Sequence, residues 1–126
     1  MNTITSKFDL NGKVAIVTGS SKGIGKSIAR GLAEAGAQVV ISSRKQEAVD
    51  DVAGEFAKQG LKAIGIQCHI GDSAERENLI SETFKAFGKI DILVNNAAIN
   101  PYYGPLEGSE EGVFDKIMDV NVKAPW

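Results

Sequence analysis

The segment Thr18-Gly19-Ser20-Ser21-Lys22-Gly23-Ile24-Gly25 constrains this chain more than any other, because it lies directly between a run that reads as a strand and one that reads as a helix. Before it, Val14-Ala15-Ile16-Val17 is short, apolar and rich in β-branched residues, bounded by Gly12 and Gly19. That is the pattern of a strand buried on both faces, as in a parallel sheet. After it, Ile24, Ile28, Ala29 and Leu32 recur at helical spacing until Gly36 stops the pattern. Glycines spaced G-x-x-x-G-x-G let the backbone turn sharply, approach a pyrophosphate and bring the helix against the sheet. The helix start offers unpaired N–H groups and partial positive charge to phosphates, and Ser20 and Ser21 are expected to add hydroxyl donors. The plainer reading is a Gly-rich turn that only connects two elements; the strand–turn–helix context weighs against it.

The alternation continues along the chain. Gln38-Val39-Val40-Ile41 reads as a second strand, and residues 45–59 as a helix with Val49, Val52 and Phe56 on one face, closed by Gly60. A third strand is expected at Ala63-Ile64-Gly65-Ile66-Gln67 and a third helix over 73–87. In that helix Ser73 serves as N-cap, Leu79, Ile80, Phe84 and Phe87 supply the stripe, and Gly88 is the stop. Ile90 to Val94 form a fourth strand ending in Asn95-Asn96-Ala97-Ala98, then a Gly/Pro/Tyr-rich loop. From Ser109 onward a last helix carries Val113, Phe114, Ile117, Met118 and Val122 on a face. Strands alternating with helices predict an α/β fold, a Rossmann-type doubly wound parallel sheet, ordered 3-2-1-4. Such sheets have two halves, so the expectation is a single nucleotide-binding domain over residues 1–126 that stops after the fourth strand and its following helix. The fourth strand would then be an uncovered edge.

Composition limits the alternatives. The chain has 126 residues, 43% hydrophobic and 24% charged, ordinary for one globular domain and unlike a disordered or collagen-like chain. With 14 Lys+Arg against 16 Asp+Glu, it lacks the basic surplus that nucleic-acid binding needs. No apolar run is long enough for a membrane span or a signal peptide. One cysteine, Cys68, and one histidine, His69, exclude an intramolecular disulfide and a zinc cluster, and the lone thiol fits a reducing, cytoplasmic compartment. No metal site is expected.

The end of the second strand is the next informative place, since a dinucleotide domain reads the adenosine ribose there. A carboxylate would select NAD, yet the chain has Ser42-Ser43-Arg44-Lys45, with no acid before Glu47. Arg44 can fork onto a 2′-phosphate, Ser43 can donate to it, and Lys22 is placed to approach from the glycine loop. The expected cofactor is therefore NADP(H). The plainer reading makes Arg44 and Lys22 solvated loop charges.

The glycine pattern, joined to Asn95-Asn96-Ala97-Ala98 at the end of the fourth strand, resembles the short-chain dehydrogenase/reductase family from about Gly12 to Trp126. Ile41-Ser42-Ser43-Arg44-Lys45-Gln46 and Asn121-Val122-Lys123-Ala124-Pro125 look most like its NADP-dependent carbonyl reductase/retinol dehydrogenase branch. The resemblance implies that Gly19, Ser20, Ser21, Lys22, Gly23 and Ile24 form the pyrophosphate loop, with Gly25 mainly a packing glycine, and that Ser43 and Arg44 read the 2′-phosphate. Where the family usually has an Asp and an apolar residue holding the adenine, this chain has His69-Ile70. Either the His69 ring accepts from the adenine amino group, or only its backbone is used, or it is a loop histidine without a ligand. Asn96 and Ala97 match backbone contacts to the nicotinamide-side ribose, Asn95 a tie between strands, and Ala98 stands where the family usually has Gly. Asn121 matches the family's catalytic asparagine, which holds a water in the proton relay; the plainer reading is a polar residue that interrupts the final helix.

The family's central Tyr-x-x-x-Lys and its preceding Ser have no counterpart here. Tyr102 and Tyr103 are followed four residues later by Leu106 and Glu107, so neither has the Lys that lowers a tyrosine pKa, and both read as loop packing or a rim. Cys68 is next to a strand end, and no activating base that would give it a redox role is evident. The resemblance implies an NADP(H)-dependent oxidoreductase interconverting a carbonyl and an alcohol, with this chain as its cofactor-binding half, inactive alone. The full-length protein would act on a small molecule and assemble as a homodimer or homotetramer. The alternatives are a non-catalytic NADP(H)-binding module or sensor, and a fragment that binds nothing well.

Overall fold

The computed structural model describes residues 3–126. A one-turn helix, α1 (Thr3–Ser6), stands in the polar leader. The chain then alternates: β1 (Val14–Val17), α2 (Gly23–Glu34), β2 (Gln38–Ile41), α3 (Gln46–Lys58), β3 (Ala63–Gly65), α4 (Ser73–Phe87) and β4 (Ile92–Val94). A 3₁₀ turn at Leu106–Gly108 precedes α5 (Glu111–Met118), which runs into a π-helical turn at Asp119–Lys123. The sheet is parallel and ordered β3-β2-β1-β4, as the sequence predicts, with Val17 level with Ile41 and Val94, and Ile41 with Gly65.

Strand side chains alternate between the two faces, and this divides the core. Ala15, Val17, Val39 and Ile41 point to one side, where Ala29 and Ala33 of α2 and Val49, Val52 and Phe56 of α3 cover them. Ile16 and Val40 point to the other, against Ile66, Cys68 and Leu79 of the α4 side. Full burial of each large aliphatic side chain contributes about 1.5–3 kcal/mol, so the sandwiching of β1 and β2 is the main thermodynamic reason for this fold. Lys26 meets Glu55 at 2.7 Å and Arg30 lies 4.9 Å over the Phe56 ring, joining α2 to α3 at the surface. Among the described residues no helix is long and apolar enough to cross a membrane.

Several sequence expectations need correction. The third strand ends at Gly65 rather than Gln67, and the fourth begins at Ile92 rather than Ile90. The N-cap of α4 is Asp72, not Ser73: its carboxylate accepts from the backbone N–H groups of Ala74 and Glu75 at 2.9 and 3.2 Å, satisfying donors that the helix itself leaves open. Leu79 and Thr83 face inward instead of the whole predicted stripe, leaving Ile80 and Phe84 40% and 50% exposed. Thr83 tolerates burial because its hydroxyl donates to the Leu79 carbonyl at 2.7 Å. In the last helix Val120 is buried while Phe114, Met118 and Val122 face outward. Ile24 is also exposed, at 75%, because the second residue of α2 sits at the loop mouth, ahead of the turn that reaches the sheet. Among the described residues β4 pairs only with β1, and its Leu93 is half exposed.

Candidate functional site

The carboxyl ends of all four strands open on one rim, the place where an open parallel sheet binds ligands. A cleft of about 530 Å³ lies there. Gly19, Ser21, Lys22, Ser43, Arg44, Ile70, Asn96, Ala97 and Ala98 line it, together with Lys45, Cys68 and Val120. Its lining has three cationic side chains, Lys22, Arg44 and Lys45, and no carboxylate. The Ser21 and Ser43 hydroxyls, the Lys22 amine and the Arg44 guanidinium have no hydrogen-bonding or ionic partner among the described residues.

The glycine turn has the conformation its sequence predicts. Gly19 and Gly23 have φ of +62° and +60°, the left-handed region that glycine enters at little cost. Gly25 has no room for a side chain: a Cβ there would overlap the Gly19 carbonyl and come within 2.5 Å of the Asn96 amide nitrogen. No side chain caps α2, so its first N–H groups are available to an anion.

Three predicted contact groups are otherwise engaged. The Ser20 side chain is fully buried; its hydroxyl donates to the Val17 carbonyl at 2.6 Å and accepts from the Ser42 N–H at 2.9 Å. It therefore cannot supply the phosphate hydroxyl expected of it. The N–H groups of Asn96 and Ala97 both donate to the Thr18 hydroxyl at 3.0 Å, leaving only their carbonyls for a ribose. The Asn96 amide, not Asn95, ties the strands, donating to the Thr18 and Gly19 carbonyls at 3.1 and 3.0 Å. Asn95 is exposed.

Thr18 was legible only as the first letter of the glycine motif, yet it is the hub of this rim. Its hydroxyl, 4% exposed as a residue, accepts two N–H groups and donates to the Val94 carbonyl at 3.3 Å, which exhausts its capacity. At the opposite rim Asp91 accepts from the Val14 N–H at 2.8 Å and pairs with Lys89 at 3.0 Å. The Val14 hydrogen bond, then Lys89, hold its carboxyl below the usual carboxylate range.

His69 does not line the cleft; Cys68 and Ile70 on either side of it do. Its backbone N–H is bound to Glu75 at 3.0 Å, and the residue is exposed, so the ring reading of an adenine has no geometric support. Asn121 stands in the π-helical turn behind Ile99. Its amide is engaged by that residue, accepting from the Ile99 N–H and donating to the Ile99 carbonyl, both at 2.8 Å. One N–H and one lone pair of the amide are left over by these two bonds. Tyr102 donates to the Pro105 carbonyl at 2.7 Å and Tyr103 is exposed. Burial, then the Glu75 charge, pushes the Cys68 thiol up to about 11, which leaves it without thiolate at neutral pH.

The family described as short chain dehydrogenase matches residues 13–126. Dehydrogenase/reductase SDR family member 4 of Oryctolagus cuniculus is 50% identical over 121 residues, covering 96% of this chain and 46% of that protein. Tropinone reductase-like 3 of Erythroxylum coca is 51% identical over 113 residues, 90% of this chain and 44% of that protein. Among solved structures, a metagenomic short-chain oxidoreductase in complex with NADP superposes with a TM-score of 0.87 at 38% identity, over 93% of this chain and 53% of that one. A short-chain type dehydrogenase/reductase from Mycobacterium marinum gives 0.91 at 36% identity, over 98% and 49%. The chain therefore spans a little under half the length of the curated relatives it matches.

Proposed function

This chain belongs to the short-chain dehydrogenase family, and from that premise we propose that it supplies the NADP(H)-binding half of an oxidoreductase interconverting a carbonyl and an alcohol on a small molecule. The observation that carries the reading is the electrostatics of the cleft: Lys22, Arg44 and Lys45 with no acid among the lining residues. A bare ribose diol calls for a carboxylate acceptor at the end of β2, whereas a 2′-phosphate calls for a guanidinium fork. The NADP complex of a 38% identical structure supports the same choice. We place the reaction in the cytoplasm, in keeping with one free thiol, Cys68. For the whole protein we propose a homodimer or homotetramer.

Each residue then has a task. The N–H groups at the start of α2 and the Ser21 hydroxyl bind the pyrophosphate, while Ser43, Arg44 and Lys22 hold the 2′-phosphate. Asn96 and Ala97 offer carbonyls to the second ribose, and the Asn121 amide fixes Ile99 beside them. The nicotinamide, when bound, supplies or accepts the hydride. The proton has no donor among these residues, since Tyr102 is committed and Tyr103 points to solvent. That same observation favours, as a second reading, a module that binds NADP(H) without turnover.

Calorimetric titration with NADP+ and NAD+ tests the proposal. NADP+ should bind at least about tenfold more tightly, a difference of about 1.4 kcal/mol, with an affinity that falls as salt rises. Equal affinities, or no binding of either nucleotide, would refute it.

A further inference from the structure

The β1–β2 register runs from Val14 and Gln38 to Val17 and Ile41. One residue later the ladder continues through a side chain. The Ser20 hydroxyl stands between the Ser42 N–H and the Val17 carbonyl, and the Ser20 N–H donates to the Ser42 carbonyl at 2.9 Å. Ser20 and Ser42 are both almost wholly excluded from solvent. The exit of β2 is thus spaced from β1 by one hydroxyl group, at the point where the chain turns to present Ser43 and Arg44.

The other side of the same loop is held by β3 and its continuation. The Cys68 N–H donates to the Ser43 carbonyl at 2.8 Å. Three residues on, the Gln46 amide accepts from the Gln67 N–H at 3.1 Å and donates to the Gly65 carbonyl at 3.2 Å and to Asp50 at 2.8 Å. Because the Ile66 N–H is directed at Ile41 of β2, the polar groups of Gly65 and Gln67 lie on the strand's outer edge. The Gln46 amide meets them there as the peptide group of one more strand would. The loop between these clasps is short, and the Arg44 guanidinium it carries has no partner among the described residues.

We propose that Ser20 and Gln46 are positioning residues for Arg44: the hydroxyl on one side and the amide on the other fix the loop from which the guanidinium meets a 2′-phosphate, and so set the preference for NADP(H). The proposal rests on reading the cleft as an NADP(H) site. A forked contact tolerates little angular error, and a loop already ordered has no ordering cost left to meet on binding. Neither residue touches the nucleotide; both act through the place they give Arg44.

Gln46→Met keeps the length and helix propensity of the side chain while removing its hydrogen bonds, and Gln46 is exposed, so the variant should fold. Calorimetry on the parent chain, Q46M, R44A and the Q46M/R44A double variant gives the first arm. Q46M should weaken NADP+ by about threefold to tenfold, the effect of one or two ordinary hydrogen bonds, and leave NAD+ unchanged. In the R44A background Q46M should have no further effect on NADP+. Equal weakening of both nucleotides, or additive losses in the double variant, would show a merely structural role and overturn the proposal. A second arm needs no nucleotide: ¹⁵N relaxation at Arg44 in the parent, Q46M and S20A. Its order parameter should fall in both variants, and an unchanged value would overturn the clasp even if the parent binds NADP+ well. A parent that does not prefer NADP+ refutes the functional reading instead, with the relaxation arm still deciding whether the clasp orders Arg44.

Discussion

Replacing Thr18 by valine removes one hydroxyl and keeps the shape of the side chain. Three partners lose it: the N–H groups of Asn96 and Ala97, each at 3.0 Å, and the Val94 carbonyl at 3.3 Å. The carbonyl still receives the Thr18 backbone N–H at 3.1 Å, so it is not orphaned. The Asn96 N–H also keeps the Val94 carbonyl, at 3.1 Å, so it is the Ala97 N–H that is stranded, in a half-buried setting where water reaches it only in part. A stranded buried donor costs about 1–3 kcal/mol; partial solvation places the Ala97 N–H at the low end, and losing one of two acceptors costs Asn96 about 0.5–1 kcal/mol, so Thr18→Val should destabilise by about 2 kcal/mol. That is a large share of the roughly 5–15 kcal/mol of an ordinary domain. Urea unfolding followed by circular dichroism should show the midpoint falling with the slope unchanged. Thr18→Ser, which keeps the hydroxyl and loses a methyl, should cost only about 1 kcal/mol. If the valine variant matches the parent, or if serine is as damaging as valine, the hub role assigned to this hydroxyl is wrong.

Arg44→Ala should lower NADP+ affinity by at least about tenfold, flatten its salt dependence and leave NAD+ unaffected, as read by calorimetry. Gly25→Ala should destabilise by about 1–3 kcal/mol, because the new Cβ meets the Gly19 backbone rather than a movable side chain; thermal melting measures it. Asp91 is held below its ordinary pKa by Val14 and Lys89, so its contribution is present above the unfolded value of about 4 and lost as pH falls through the folded one. Urea midpoints between about pH 5 and pH 2.5 should accordingly fall less steeply for Asp91→Asn than for the parent. Cys68, raised to about 11, should react with iodoacetamide at pH 8 only at the rate of local opening; rapid alkylation of the folded chain would contradict that.

The parts of this structure set by short-range pattern were readable from the residues. Val14–Val17 and Val39–Ile41 are apolar throughout because the sheet is covered on both faces, and the left-handed glycines at 19 and 23 sit where the motif needs them. What the sequence did not disclose depends on side-chain direction across the fold. Asn95 and Asn96 are chemically identical neighbours, and only the geometry of the β1 exit decides which one turns toward Gly19. Ser20 belongs to a phosphate loop by spacing, but its hydroxyl is captured by a strand that lies 22 residues later. His69 alternates outward while Cys68 and Ile70 alternate inward. Asp72 supplants Ser73 as the cap because a carboxylate one residue earlier reaches two N–H groups.

The parallel sheet also separates two kinds of evolutionary freedom. All four strands run the same way, so the ligand-facing residues follow strand ends on one rim, while the fastening of β1 to the start of β4 through Asp91 lies on the other. Selection can rewrite the two exposed letters Arg44 and Lys45, and with them the charge of the cleft, without disturbing the apolar register that makes the chain fold. The same separation does not extend to Thr18, Ser20 or Asn96, whose polar groups serve rim and sheet together. Variation among natural or designed descendants of this sequence should therefore be generous at 44 and 45 and sparse at 18, 20 and 96.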